Sequence, residues 1–115
     1  MKYVLMVMLM IVSLSSNAKE SESYYVTQWC QGKGIEEFIL PDRTRVDCLT
    51  DEYAIEFDFG RKWAEAIGQS LYYGYMTDRT PAVVLILERD EQRFVDRFKI
   101  TTQDLDILLI EYYLD

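Results

Sequence analysis

Between Tyr53 and Phe59 the chain alternates without a break. Tyr53, Ile55, Phe57 and Phe59 fall on one side, and Ala54, Glu56 and Asp58 on the other. A period of two marks a strand with one face in the core. The apolar side must take that face. The two carboxylates then share the opposite one, about 7 Å apart by strand geometry. Upstream, Glu36 to Leu40 and Thr44 to Leu49 read as a hairpin. Its turn is Pro41-Asp42-Arg43, where proline presets φ and aspartate tolerates turn geometry. Thr50-Asp51-Glu52 turns the chain again. Ala82 to Leu87 is an unbroken apolar run, as expected of a strand covered on both faces. The stretch from Asp106 to Tyr112 reads as a last strand.

Three segments carry helical signals. Ser21 or Ser23 can cap a helix that runs to about Gln31 and stops at Gly32-Lys33-Gly34, with Tyr25, Trp29 and Cys30 on its buried stripe. Gly60 opens a second helix, predicted from Arg61 to about Met76, whose packing face is Trp63, Ala66, Ile67, Ser70, Leu71 and Gly74. Gly68 and Gly74 cost about 1 kcal/mol each in a helix interior, which implies close packing against the sheet. Asp90 caps a third, with Phe94, Val95 and Phe98 inward. The order helix, three strands, helix, strand, helix, strand predicts an α/β (α+β) domain with a mixed central sheet flanked by helices.

The first residues change the picture of where this domain works. Met1-Lys2-Tyr3 precedes an apolar run, Val4 to Leu14, which is shorter than the roughly 20 residues that span a bilayer. Ser16 and Ala18 then stand at the −3 and −1 positions of a cleavage site. A signal peptide over residues 1–18 is expected, with export to the periplasm or outside the cell; an uncleaved anchor is the other reading. Residues 19–115, about 97 of them, make one small domain. Loss of Lys2 would leave 11 of the 12 basic residues against 20 acidic ones, a formal charge near −9. Such acidity opposes an extended nucleic-acid footprint or an anionic membrane surface, both of which are held by Lys and Arg.

Cys30 and Cys48 are the chain's two cysteines. In an oxidising compartment a disulfide would form; buried free thiols are the alternative. Cys48 follows Asp47 on a strand, so it should turn toward the first helix, where Cys30 sits. The chain has no histidine. Ser-His and Cys-His nucleophilic pairs are excluded, and so are histidine metal sites. Any metal must be held by oxygen, which favours Mg²⁺ or Mn²⁺, with Ca²⁺ the weaker fit.

The candidate chemistry lies between Arg45 and Tyr73. Asp47 is on the second strand, Glu56 and Asp58 are on the third, and Lys62, Gln69 and Tyr73 follow along the next helix. This order, with these residues, resembles the PD-(D/E)XK nuclease superfamily, particularly its Holliday-junction-resolvase-like and RecB-like members. Arg45-Val46-Asp47 matches the family's first element. Ala54-Ile55-Glu56-Phe57-Asp58 matches its Glu-x-Lys, with Asp58 in the lysine position. Gln69-Ser70-Leu71-Tyr72-Tyr73 matches the Gln-x-x-x-Tyr of RecB-like members. The family's first-helix acid would fall at Glu20 or Glu22. The resemblance implies a restriction-endonuclease-like αβββαβαβ fold. It also implies Mg²⁺ or Mn²⁺ on Asp47 and Glu56; Asp58 departs from the family's lysine, and a third-ligand role is one way to accommodate it.

Asp58 cannot supply the positive charge of the motif lysine. Lys62 shares the Gln69 face and is the candidate replacement; a plain surface lysine is the other reading of it. Two functions follow from the resemblance. One is an exported, non-catalytic binding module that keeps an acidic metal-type site and meets a protein partner or nucleic acid, with Tyr24 and Tyr75 as candidate contacts. The other is a Mg²⁺- or Mn²⁺-dependent phosphodiesterase in which Asp47, Glu56, Asp58 and Lys62 are catalytic and Gln69 and Tyr73 position the substrate.

Overall fold

A computed structural model describes residues 20–115. The expected signal peptide and its cleavage site lie outside the described residues. The chain forms α1 (Glu22–Cys30), β1 (Ile35–Ile39), β2 (Arg45–Leu49), β3 (Tyr53–Phe59), a 3₁₀ turn (Gly60–Lys62), α2 (Trp63–Thr77), β4 (Thr80–Leu87), α3 (Gln92–Thr102) and β5 (Leu108–Tyr113). The strands make one sheet in the order β1-β2-β3-β4-β5. The β1–β2 and β2–β3 pairs are antiparallel, whereas β3–β4 and β4–β5 are parallel. Helices cover both faces. This is the mixed α/β architecture the element order predicts, and it is compatible with a restriction-endonuclease-like fold.

Alternation along β4 builds both cores. Ala82, Val84 and Ile86 join Tyr25, Val26 and Cys30 of α1, together with Cys48, Ile55 and Phe57. Val83, Leu85 and Leu87 join Ala66 and Ile67 of α2 and Val95 and Phe98 of α3. A strand buried on both sides thus reads as a solid apolar run. The Cys30–Cys48 disulfide forms, with Cα atoms 5.9 Å apart, and fixes α1 to β2. This side of the sheet is therefore bolted, while the Glu56 side is left to α2. A bonded cysteine pair suits an oxidising compartment. Among the described residues, no helix is long and apolar enough to cross a membrane.

Several boundaries depart from the sequence reading. β4 begins at Thr80, two residues before the predicted Ala82, because Asp78 ends α2 in the left-handed conformation (φ 53°) and turns the chain at once. Pro81 sits near the strand's start, where a missing N–H is tolerated. Gly74 is required there, since a Cβ would lie 2.6 Å from Pro81 Cγ. Gly68 packs against nothing: no atom lies within 4 Å of its would-be Cβ, so the expectation of close packing fails at that position. The packed face of α2 is also rotated from the predicted one. Leu71 is exposed and Tyr73 is buried. Glu91, not Asp90, occupies the N-cap position of α3.

Candidate metal centre

The site begins where two strands part. β2 pairs with β3 at Cys48↔Ile55 and Leu49↔Ala54, then continues along β1 through Phe38↔Val46 and Ile39↔Arg45. The fork leaves the Phe57 N–H without a β2 carbonyl. Asp47 Oδ2 accepts it instead, at 2.8 Å. That bond holds the Asp47 carboxylate beside Glu56. From the first turn of α1, Glu22 reaches the same fork. One carboxylate oxygen from each of Glu22, Asp47 and Glu56 lies within 4.8 Å of the others. Distant parts of the chain therefore supply three acids to one point.

Burial sets their electrostatics. Glu56 is 5 % exposed, and its Oε2 is buried without a hydrogen-bond partner. Burial, and then the charges of Asp47 and Asp58, push its carboxyl up to about 10. Burial raises Asp47 to about 6, opposed by the Phe57 N–H. Burial also raises Asp58 to about 8, with the Glu22 charge and a hydrogen bond to Glu22 adding to it. Glu22 is raised, chiefly by burial. Glu56 and Asp58, raised above neutrality, keep protons at neutral pH, and a cation that displaces the Glu56 proton relieves the crowding.

Gln69 and Tyr73 of α2 line the same cavity as Glu22, Asp47 and Glu56, and its volume is about 520 Å³. Burial, followed by the charges of Glu56 and Asp47, raises the Tyr73 phenol. Asp58 is not one of the three clustered acids, though it interacts with Glu22. Its Oδ2 is buried and unpartnered. Lys62 is half-buried in the 3₁₀ turn, and its charge lowers both Glu22 and Asp58. Of the two first-helix acids, Glu22 enters the cluster, while Glu20 is exposed and precedes the helix.

Sequence reasoning singled out neither Arg43 nor Glu37 as a cavity residue, and it used Arg45 only as a neighbour of Asp47. All three line the cavity. The hairpin turn is the signal that could have found them, since it brings its own flanks over the fork. The donor set is all oxygen, and the buried Glu56 Oε2 has no protein partner, so these residues fit a hard divalent cation. In comparisons with known proteins, the chain matches no protein-family model, no curated protein and no solved structure, which leaves the chemistry of these side chains to carry the functional reading.

Proposed function

We propose that this is an exported, PD-(D/E)XK-like domain that binds Mg²⁺ or Mn²⁺ and cleaves a phosphodiester. The observation that carries the reading is the meeting of Glu22, Asp47 and Glu56 at the β2–β3 fork, one of them buried with an unpartnered oxygen. Glu22, Asp47 and Glu56 would hold the ion. An ion in such a set polarises a phosphate and lowers the pKa of a water. Lys62 supplies positive charge beside Glu22 and Asp58, in the neighbourhood where the motif lysine would act. Gln69 and Tyr73 offer an amide and a phenol in the lining of the same cavity, suited to orienting a substrate. The disulfide supports the exported setting.

A second reading keeps the cation and drops the turnover. Its support is Asp58, a carboxylate where charge stabilisation calls for a cation. Assays of oligonucleotide and plasmid cleavage across Mg²⁺, Mn²⁺ and Ca²⁺ separate the two. The enzyme reading expects cleavage with Mg²⁺ or Mn²⁺ that is lost in Asp47→Ala and strongly reduced in Lys62→Met. Cation binding with no turnover on any phosphodiester would leave the binding module standing and remove the enzyme.

A further inference from the structure

The acidic trio occupies only part of the cavity. Arg43, Thr44 and Arg45 line it from the β1–β2 hairpin, and Ser21 and Ser23 line it from the start of α1. The hairpin tip is held in place by a local network. Leu40 N–H donates to Thr44 O at 2.8 Å, and Arg43 N–H donates to Leu40 O at 2.8 Å. Asp42 accepts from Thr44 N–H at 3.0 Å and from its hydroxyl at 2.6 Å. The Tyr72 phenol of α2 also donates to Asp42, which fastens the tip to the helix. Arg43 takes the left-handed conformation (φ 72°) that this tight turn demands. The hairpin backbone that carries Arg43 and Arg45 is therefore held in place beside the cavity.

The cavity thus joins a cation-type acidic cluster to a basic wall within about 520 Å³. Pockets of about 300–1,000 Å³ take small ligands. Arg45 Nη1 lies 3.0 Å from Glu37 Oε2, and both side chains are well exposed. An exposed pair of this kind is weak and can exchange for a ligand phosphate. Guanidinium forks match phosphate oxygens in geometry as well as charge. The whole chain is acidic, with a formal charge of −8. A long duplex would meet repulsion along most of its length.

We propose that the cavity takes a small phosphate ester, a nucleotide or the terminus of a strand, with one phosphate at the acidic trio and a second against Arg43 and Arg45. This rests on the cation site proposed above and narrows its ligand. No more than two phosphates are neutralised by protein side chains, so the log–log salt slope of binding is about 2 or less in magnitude.

The test is calorimetric titration of the full chain, first with Mn²⁺ alone, then with a 5′-phosphorylated dinucleotide in saturating Mn²⁺. Inorganic phosphate and a closed circular duplex serve as competitors. The expected result is dinucleotide binding with a shallow salt slope and weak competition by either competitor. Arg43→Ala with Arg45→Ala lowers the affinity about tenfold or more while leaving Mn²⁺ binding unchanged. Arg43→Lys with Arg45→Lys retains part of it, because the charge remains without the fork. Mn²⁺ binding without dinucleotide binding overturns the proposal and leaves the metal site intact. So does a dinucleotide affinity indifferent to both arginines, inorganic phosphate binding as tightly as the ester, or preference for the circular duplex. Absence of Mn²⁺ binding overturns the reading of the site and this inference with it.

Discussion

Replacing Glu56 by glutamine should make the protein more stable at neutral pH, against the usual expectation for a buried polar substitution. Glu56 stays protonated in the fold up to about pH 10, whereas in the unfolded chain it ionises in the ordinary carboxylate range. The folded state therefore binds the extra proton. The stability this contributes is complete below the unfolded pKa and is lost as pH rises toward the folded one. Each pH unit in that window costs about 1.4 kcal/mol, so raising the pH from 5 to 7 costs about 3 kcal/mol through this one group. That is a large share of the roughly 5–15 kcal/mol by which a domain is stable. Glutamine has nearly the same shape and keeps a donor for Asp47, but it does not titrate. Urea unfolding, followed by the fluorescence of Trp29 and Trp63 without divalent ions, measures the effect. The gap between Glu56→Gln and the wild type should widen in favour of the variant by about 3 kcal/mol between pH 5 and 7. A gap that does not change over those two pH units refutes the picture of Glu56 as a buried, proton-holding carboxyl.

Other consequences are as direct. Cys30→Ala with Cys48→Ala, or reduction of the wild type, should cost about 3 kcal/mol in urea unfolding, from the entropy of a loop spanning 18 residues. Gly74→Ala should destabilise, because the new Cβ meets Pro81. Gly68→Ala should instead stabilise by about 0.5–1 kcal/mol, because its helix face is open; equal melting shifts for the two variants would contradict the packing described. Glu22→Gln should weaken Mn²⁺ binding tenfold or more, by about 1.4 kcal/mol, whereas Glu20→Ala should leave it unchanged.

The fold was legible wherever periodicity had one physical cause. The strict alternation of Tyr53 to Phe59 gave β3 to the residue, since Ile55 and Phe57 had one core to enter. The apolar run of β4 announced burial on both sides. The Asp47–Cys48 neighbourhood placed a carboxylate and a disulfide on opposite faces, and both are there. Reading failed where tertiary contact overrode local pattern. Leu71 looked like a core residue by helical spacing, yet α2 turns Tyr73 inward, because the β2–β3 fork needs filling and Tyr73 packs there with Leu40, Val46, Leu49 and Ala54. The acids show the same limit. Asp47 and Glu56 could be paired from strand order, but choosing Glu22 over Glu20 needed the start of α1. Asp58, two residues from Glu56 on the same face, looked equivalent to it; in space it interacts with Glu22 but is not one of the three clustered acids. Arg43 and Arg45 follow no period; only the Pro41-Asp42-Arg43 turn, which carries them to the cavity, pointed to them.

The cation site proposed for Glu22, Asp47 and Glu56 would hold protons when no ion is bound. Titration of Mn²⁺ into the wild-type chain at pH 7, in buffers of different ionisation enthalpy, tests it most directly. The expected result is one ion per chain, a net release of protons on binding, and loss of both signals in Asp47→Asn with Glu56→Gln. Binding unaccompanied by proton release, or binding that survives the double substitution, would contradict it.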